Sequence, residues 1–305
     1  MPTGILSSTY RVATTAAAPF VAVGLACSAR GRRRYAERFG SWEPVPPVQW
    51  WLHGASVGEV QGLLPFVAQL RGDLPADQIL LTSTSPTGLD RAGEKVDYRR
   101  LLPIDVGVCV RRALRNISAD RVIVAETELW PTLLSELLAR RVPIHIVNGR
   151  ISDYTFEWYR RLRGLFVPIL SRVASISVAY EAECDRYLEL GARPEVIHVT
   201  GHSKYDVEPR VTPDTVREQF FPGEPQETRI VTLGSLRPGE EQDWLTAIRA
   251  TLLEGKKLKV IIAPRHMEKV EYFTQKLSDS GMSWARWSDA SRGEIDILLL
   301  DTMGR

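Results

Sequence analysis

Apolar residues lead into a turn as Trp50-Trp51-Leu52, two glycines (Gly54 and Gly58) punctuate it, and apolar side chains leave it at helical spacing as Val60, Leu63, Leu64, Val67 and Leu70. This pattern predicts a buried strand, a tight turn and an amphipathic helix. Glycine at both positions is expected to let the backbone turn sharply and approach a ligand with no side chain in the way. Strand patterns recur at 78–84, 98–103, 121–125, 142–147, 173–178 and 196–199. Helical spacing falls between them at 106–117, 131–140, 154–166 and 181–190, and Ser85-Pro86-Thr87-Gly88 opens another helix. Pro131 suits a first helical turn. Strands alternating with helices predict a parallel sheet covered on both faces.

The alternation lapses between 206 and 228, where Pro209, Pro213, Pro222 and Pro225 fall, apart from a short helix at 212–221. It restarts with strands at 229–233, 258–263 and 295–300 and helices at 240–253 and 266–280. The expected organisation is an N-terminal segment at 1–40, an α/β domain at 41–208, a linker at 209–228 and a second α/β domain at 229–305. The last strand pattern ends where a helix ought to start, so the second domain is expected to be truncated. The fold class is α/β, with two Rossmann-like, doubly wound parallel-sheet domains.

From 12 to 29 the chain carries no charge, with Pro19 in the middle, and Arg30, Arg32, Arg33, Arg34 and Arg38 follow at once. That order suits a membrane anchor or interfacial helix whose basic flank meets anionic headgroups on the cytoplasmic side. A cleaved signal peptide would carry its basic residues before the apolar run. The arginines form one short run beside an apolar segment, so a membrane is the expected partner and nucleic acid is not.

The remaining composition excludes little: 305 residues, 44% hydrophobic and 25% charged, with a net charge of +2, describe a folded globular chain. Cys27, Cys109 and Cys184 lie far apart, so neither a disulfide framework nor a zinc site is implied. His198 and His202 are four apart, but Thr200-Gly201 between them argues against a helical metal pair, and no metal is expected.

Several polar residues stand where ligands of open α/β sheets bind, outside the carboxyl ends of the strands. Glu59 falls in the first turn of its helix, where the dipole favours an ionised carboxylate. It either caps the helix or takes a proton from an incoming hydroxyl. Glu126 and Glu128 follow a short apolar strand, and one of them is free to cap the next helix. Arg265, between a strand and a helix, can fork onto phosphate oxygens.

Six motifs carry a family resemblance: His53-Gly54-Ala55-Ser56-Val57-Gly58-Glu59, Glu126-Thr127-Glu128-Leu129-Trp130-Pro131, Asn148-Gly149-Arg150-Ile151-Ser152, Gly201-His202-Ser203-Lys204-Tyr205-Asp206, Ala263-Pro264-Arg265-His266 and Asp301-Thr302-Met303-Gly304. In this order the chain closely resembles the 3-deoxy-D-manno-octulosonic acid (Kdo) transferase family. The resemblance implies a GT-B type glycosyltransferase fold and inverting transfer of Kdo from CMP-Kdo to the lipid A precursor, at the cytoplasmic side of the inner membrane. It implies Glu59 as general base on a loop with Ser56 and Gly58, and Glu128 and Lys204 as transition-state stabilisers. It places Pro264, Arg265, Met303 and Gly304 on the CMP of the donor, with no cofactor beyond that donor.

The chain departs from the family pattern at Leu236-Arg237, at His202 and at Arg305, and the family's later Asn-Pro-Leu-Glu segment is not in it. The acceptor half is therefore expected to be intact and the donor half incomplete. Two other readings stay open here: a membrane-attached remnant that binds lipid A precursor or a partner without turnover, and another GT-B nucleotide-sugar enzyme.

Overall fold

The computed structural model describes residues 4–73, 78–206, 212–289 and 293–302. The chain divides into two compact units, Met1–Glu208 and Pro209–Arg305.

In the first unit, strands β1 (Val48–His53), β2 (Ile79–Ser83), β3 (Tyr98–Leu101), β4 (Ala119–Ala125), β5 (Ile144–Gly149), β6 (Ser175–Val178) and β7 (Ile197–Val199) form a 7-stranded sheet in the order β3-β2-β1-β4-β5-β6-β7. Every pairing is parallel. Side chains alternate across it and so divide the core. Leu80, Val122, Val124, Ile144 and Ile146 join one buried cluster, and Ile79, Leu81, Ile123, Ala125 and Val147 join the other. Helix Val57–Asp73 covers the second face with Val60, Leu63 and Val67, while helices Pro131–Ala139 and Arg163–Leu170 cover the first. Sheets buried on both faces need runs such as Leu80-Leu81 and Val122-Ile123-Val124, which is why those stretches are continuously apolar. The order of the strands reverses between β1 and β4, and right-handed crossovers then put the helices of the two halves of the sheet on opposite faces. The loops after β1 and β4 diverge there and leave the crevice in which such sheets bind ligands.

The second unit holds strands β8 (Arg229–Leu236), β9 (Leu258–Pro264), β10 (Trp284–Arg286) and β11 (Ile297–Leu299) in the parallel order β10-β11-β9-β8. The pattern along the sequence leaves out β10, whose 3 residues are too short for a period-2 signal. Within the stretch read as a linker, helix Pro213–Phe220 is formed and Phe221 is buried with Ile261, Ala285, Ile295 and Leu298 of this unit.

The N-terminal helix runs Ile5–Cys27, starting before the uncharged run and including Arg11. Its segment Leu6–Cys27 has a mean hydropathy of 1.3 and exposes Val12, Phe20 and Val23, so by length and composition it can cross a membrane. Of the arginines after it, Arg30, Arg32, Arg33 and Arg34 are exposed and Arg38 is buried. Arg30 donates to the Ser85 hydroxyl, Arg33 pairs with Asp90, Arg34 pairs with Glu37, and Arg38 is buried against the Thr84 carbonyl. These guanidiniums find protein acceptors after β2 and in the adjoining turn.

Candidate active site

The turn after β1 is built by reciprocal bonds. The Ser56 hydroxyl accepts from the Glu59 amide at 3.2 Å, and Glu59 Oε2 accepts from the Ala55 amide at 2.8 Å. This is close to a capping box, and it shows the capping reading of Glu59. One carboxylate oxygen helps close the helix start. Neither Gly54 nor Gly58 has a left-handed φ, contrary to the sharp turn expected of them. Gly54 is required by close approach, since a Cβ there would sit 3.1 Å from both Glu59 Cβ and the Val60 amide nitrogen. Gly58 faces open space with only the Ser56 hydroxyl near it, which leaves the outer side of the turn accessible.

Burial raises the Glu59 pKa above the ordinary glutamate value. The bonds from Ser56 and Ala55 offset part of that, and the charges of Glu128 and Glu126 push it further up. The three carboxylates therefore share one electrostatic site at the switch point of the sheet, brought together by the β1–β4 register in which His53 lies beside Val124.

Neither Glu126 nor Glu128 caps helix Pro131–Ala139. That work falls to Asp105, which accepts from the Thr132 and Leu133 amides at 2.8 Å each and from the Tyr10 hydroxyl at 2.9 Å. Glu126 stands in the left-handed region at φ 52°, and its backbone is held by its amide to the Val147 carbonyl and by the Tyr187 hydroxyl to its own carbonyl. Gly149 leaves room for that tyrosine, since a Cβ would lie 2.9 Å from its hydroxyl oxygen. A strained non-glycine residue over-determined in this way is typical of functional loops. Glu128 Oε2 accepts from the Trp130 indole at 2.8 Å. Tyr159, bonded to the Thr127 carbonyl, has its pKa pushed up to about 12 by burial and by the Glu128 charge, so it stays a neutral donor.

Lys204 lies 3.5 Å from Glu126 Oε1, so the carboxylate it meets is Glu126. His202 sits 3.9 Å from the same oxygen, its pKa lowered first by burial and then by the Lys204 charge. Ser203 brackets this turn to the rest of the site. Its hydroxyl donates to the Gly62 carbonyl at 2.6 Å and accepts from Asn148 at 2.8 Å, while its amide donates to the Asn148 side-chain oxygen at 3.0 Å. Asn148 itself adopts φ 54°, a conformation asparagine tolerates better than most residues. His198, by contrast, is exposed on β7.

In the second unit, β9 ends at Pro264, and Arg265 donates to the Ser235 hydroxyl at 3.2 Å with its guanidinium exposed. The helix expected directly after it is preceded by a 3-10 turn, Met267–Lys269, and starts at Val270. Arg265 therefore acts as a cation on a loop and gains little from a helix N-terminus. Met303 and Gly304 lie outside the described residues. Among the described residues no group of three or more His, Cys, Asp or Glu is arranged to hold a metal ion.

Sequence reasoning gave no role to Asp105, Asn148, Ser203 or Trp130. Asn148 had a signal in its Asn-Gly pair, whereas Asp105 caps a helix 27 positions away and carries none.

In solved structures the chain is similar to a UDP-GlcNAc 2-epimerase from Neisseria meningitidis, with a TM-score of 0.55 and 12% identity over 85% of this chain and 73% of that one. HepE of Anabaena in complex with UDP gives a TM-score of 0.53 and 13% identity over 83% and 69%. At such identity these likenesses show the fold alone, an α/β fold of GT-B type. Among curated proteins, the 3-deoxy-D-manno-octulosonic acid transferase of Haemophilus influenzae is 30% identical over 91% of this chain and 67% of its own length. That of Chlamydia trachomatis serovar D is 27% identical over 88% and 64%. The chain thus spans about two thirds of the length of these relatives. The model of the family described as 3-deoxy-D-manno-octulosonic-acid transferase (kdotransferase) matches residues 33–207, the whole of the sheet that carries Glu59, Glu126, Glu128 and Lys204. By that match and by the relatives that extend it through the second unit, the chain belongs to the Kdo transferase family.

Proposed function

We propose that the protein is an inverting glycosyltransferase that moves Kdo from CMP-Kdo to the lipid A precursor at the cytoplasmic face of the inner membrane. The observation that carries this reading is Glu59: a carboxylate at the switch point of the sheet, tied to the Ala55 amide through one oxygen and with its pKa raised by burial. A base so tuned accepts a proton more readily near neutral pH than an ordinary glutamate does. It takes the proton of an acceptor sugar hydroxyl as that oxygen bonds to the Kdo anomeric carbon. The bond from that carbon to the phosphate oxygen breaks on the opposite side, and CMP leaves with the electron pair.

Lys204 meets negative charge on the donor, either its carboxylate or the departing phosphate. Glu128 faces the positive charge that develops on the anomeric carbon, and Glu126 holds Lys204. Ser56 and Gly58 border the acceptor on the open side of the turn. Pro264, Arg265, Met303 and Gly304 hold the CMP moiety. The apolar helix Leu6–Cys27 keeps the acceptor turn near a lipid-borne substrate.

Two assays test the proposal. Labelled Kdo should pass from CMP-Kdo to lipid A precursor in vesicles containing the protein, and CMP should raise the thermal midpoint where UDP does not. Protection by UDP alone would favour another nucleotide-sugar enzyme. Acceptor binding without transfer would favour a non-catalytic role.

A further inference from the structure

His53 ends β1 and is 1% exposed, yet its Nε2 has no hydrogen-bond partner among the described residues. An unpartnered buried polar atom is costly and calls for an explanation. That nitrogen faces Glu128 Oε2 at 3.7 Å, beyond hydrogen-bond length. The other ring nitrogen fixes what Nε2 can offer. Thr82 Oγ1 already accepts from the Trp51 indole at 2.7 Å, so its own proton must go elsewhere. Of its two acceptors, His53 Nδ1 lies at 3.0 Å and the Leu52 carbonyl at 3.5 Å. Donation to Nδ1 leaves the proton of the neutral imidazole on Nε2, aimed at the carboxylate. The opposite tautomer, with Nδ1 donating to the Thr82 carbonyl at 3.2 Å, would set a lone pair against that carboxylate.

The geometry points to His53 as a positioning residue for Glu128. A directed chain runs from the Trp51 indole through the Thr82 hydroxyl and the His53 ring to Glu128, and its last link closes when substrate fills the site. Hydrogen bonds of catalytic groups are commonly long in the empty state and tighten in the complex. With Trp130 and His53 both donating to Oε2, the carboxylate is held from two sides and Oε1 is turned to the reacting sugar. His53 touches no substrate. The inference rests on the role proposed for Glu128.

Two substitutions separate this role from a structural one. In His53→Gln the amide nitrogen falls near the position of Nε2, and in His53→Asn near that of Nδ1. The account expects His53→Gln to keep most of the kcat for Kdo transfer. His53→Asn should lose about 10- to 100-fold in kcat, the worth of a hydrogen bond to a charged group, with KM for both substrates little changed. Equal loss in both folded variants, or better activity in His53→Asn, overturns it. The ring nitrogens of 15N-histidine-labelled, unsubstituted protein supply a reading that needs neither folding of a variant nor transferase activity. A protonated Nε2 with a bare Nδ1 supports the chain, and the reverse overturns it even if the protein transfers Kdo. Absence of Kdo transfer by the unsubstituted protein would instead remove the proposed function and leave the tautomer result standing.

Discussion

The cap that Glu59 forms and the base role proposed for it compete for one carboxylate, and pH separates them. Because burial raises its pKa, the acid limb of kcat should lie above the range of an ordinary glutamate. Glu126→Gln removes a like charge that raises it, so that limb should move to lower pH. A pH–rate profile checks both, and an unmoved limb would mean that another group is titrating. The sign for stability is opposite to that of a paired carboxylate. A raised folded value means that the contribution of Glu59 is full below the unfolded range and is lost as pH rises through the folded one. The position of Glu59 was legible in the sequence as a first-turn carboxylate after a strand. Its shifted proton affinity was not, because that depends first on burial and then on Glu128 and Glu126, which reach it only through strand pairing.

The elements that hold the site explain where the chain read clearly and where it did not. Strands β1, β2, β4 and β5 were recognisable because sheets buried on both faces need apolar runs. The brackets between elements left no such trace. Ser203 bonds the Gly62 carbonyl across 141 positions and Asn148 across 55, joining the Lys204 turn to the Glu59 helix. Ser203→Ala should cost about 1–3 kcal/mol of unfolding free energy by leaving Asn148 unsatisfied, and should lower kcat by loosening Lys204. A denaturant midpoint equal to that of the unsubstituted protein would contradict this. Asp105→Ala removes the acceptor of the Thr132 and Leu133 amides and should cost about 0.5–2 kcal/mol, read from the same titration. The carboxylate that Lys204 meets left no trace either, since β4 ends so that Glu126, in its left-handed conformation, turns its carboxylate to the lysine.

For the molecule as a whole, the alternation of strands and helices made the α/β class legible, and ordered motifs made the family legible. The fate of the basic cluster was not, since Ser85, Thr84 and Asp90 come near it only in the fold. Membrane attachment should depend most on the apolar helix, whose Val12, Phe20 and Val23 side chains are exposed. Replacing Phe20 and Val23 by lysine should shift the protein from vesicle pellet to supernatant, at about 2.5–3.5 kcal/mol for each charge placed in a spanning helix. Replacing Arg33 by alanine should leave the partition unchanged. What unites the three levels is one carboxylate at the switch point of the first sheet, and Glu59→Gln isolates it while keeping the shape of the turn. Single-turnover transfer of Kdo from CMP-Kdo to lipid A precursor should fall by roughly 100- to 10,000-fold in that variant, with its circular dichroism and CMP-induced thermal shift retained. A folded Glu59→Gln protein that transfers Kdo at the unsubstituted rate would contradict the account.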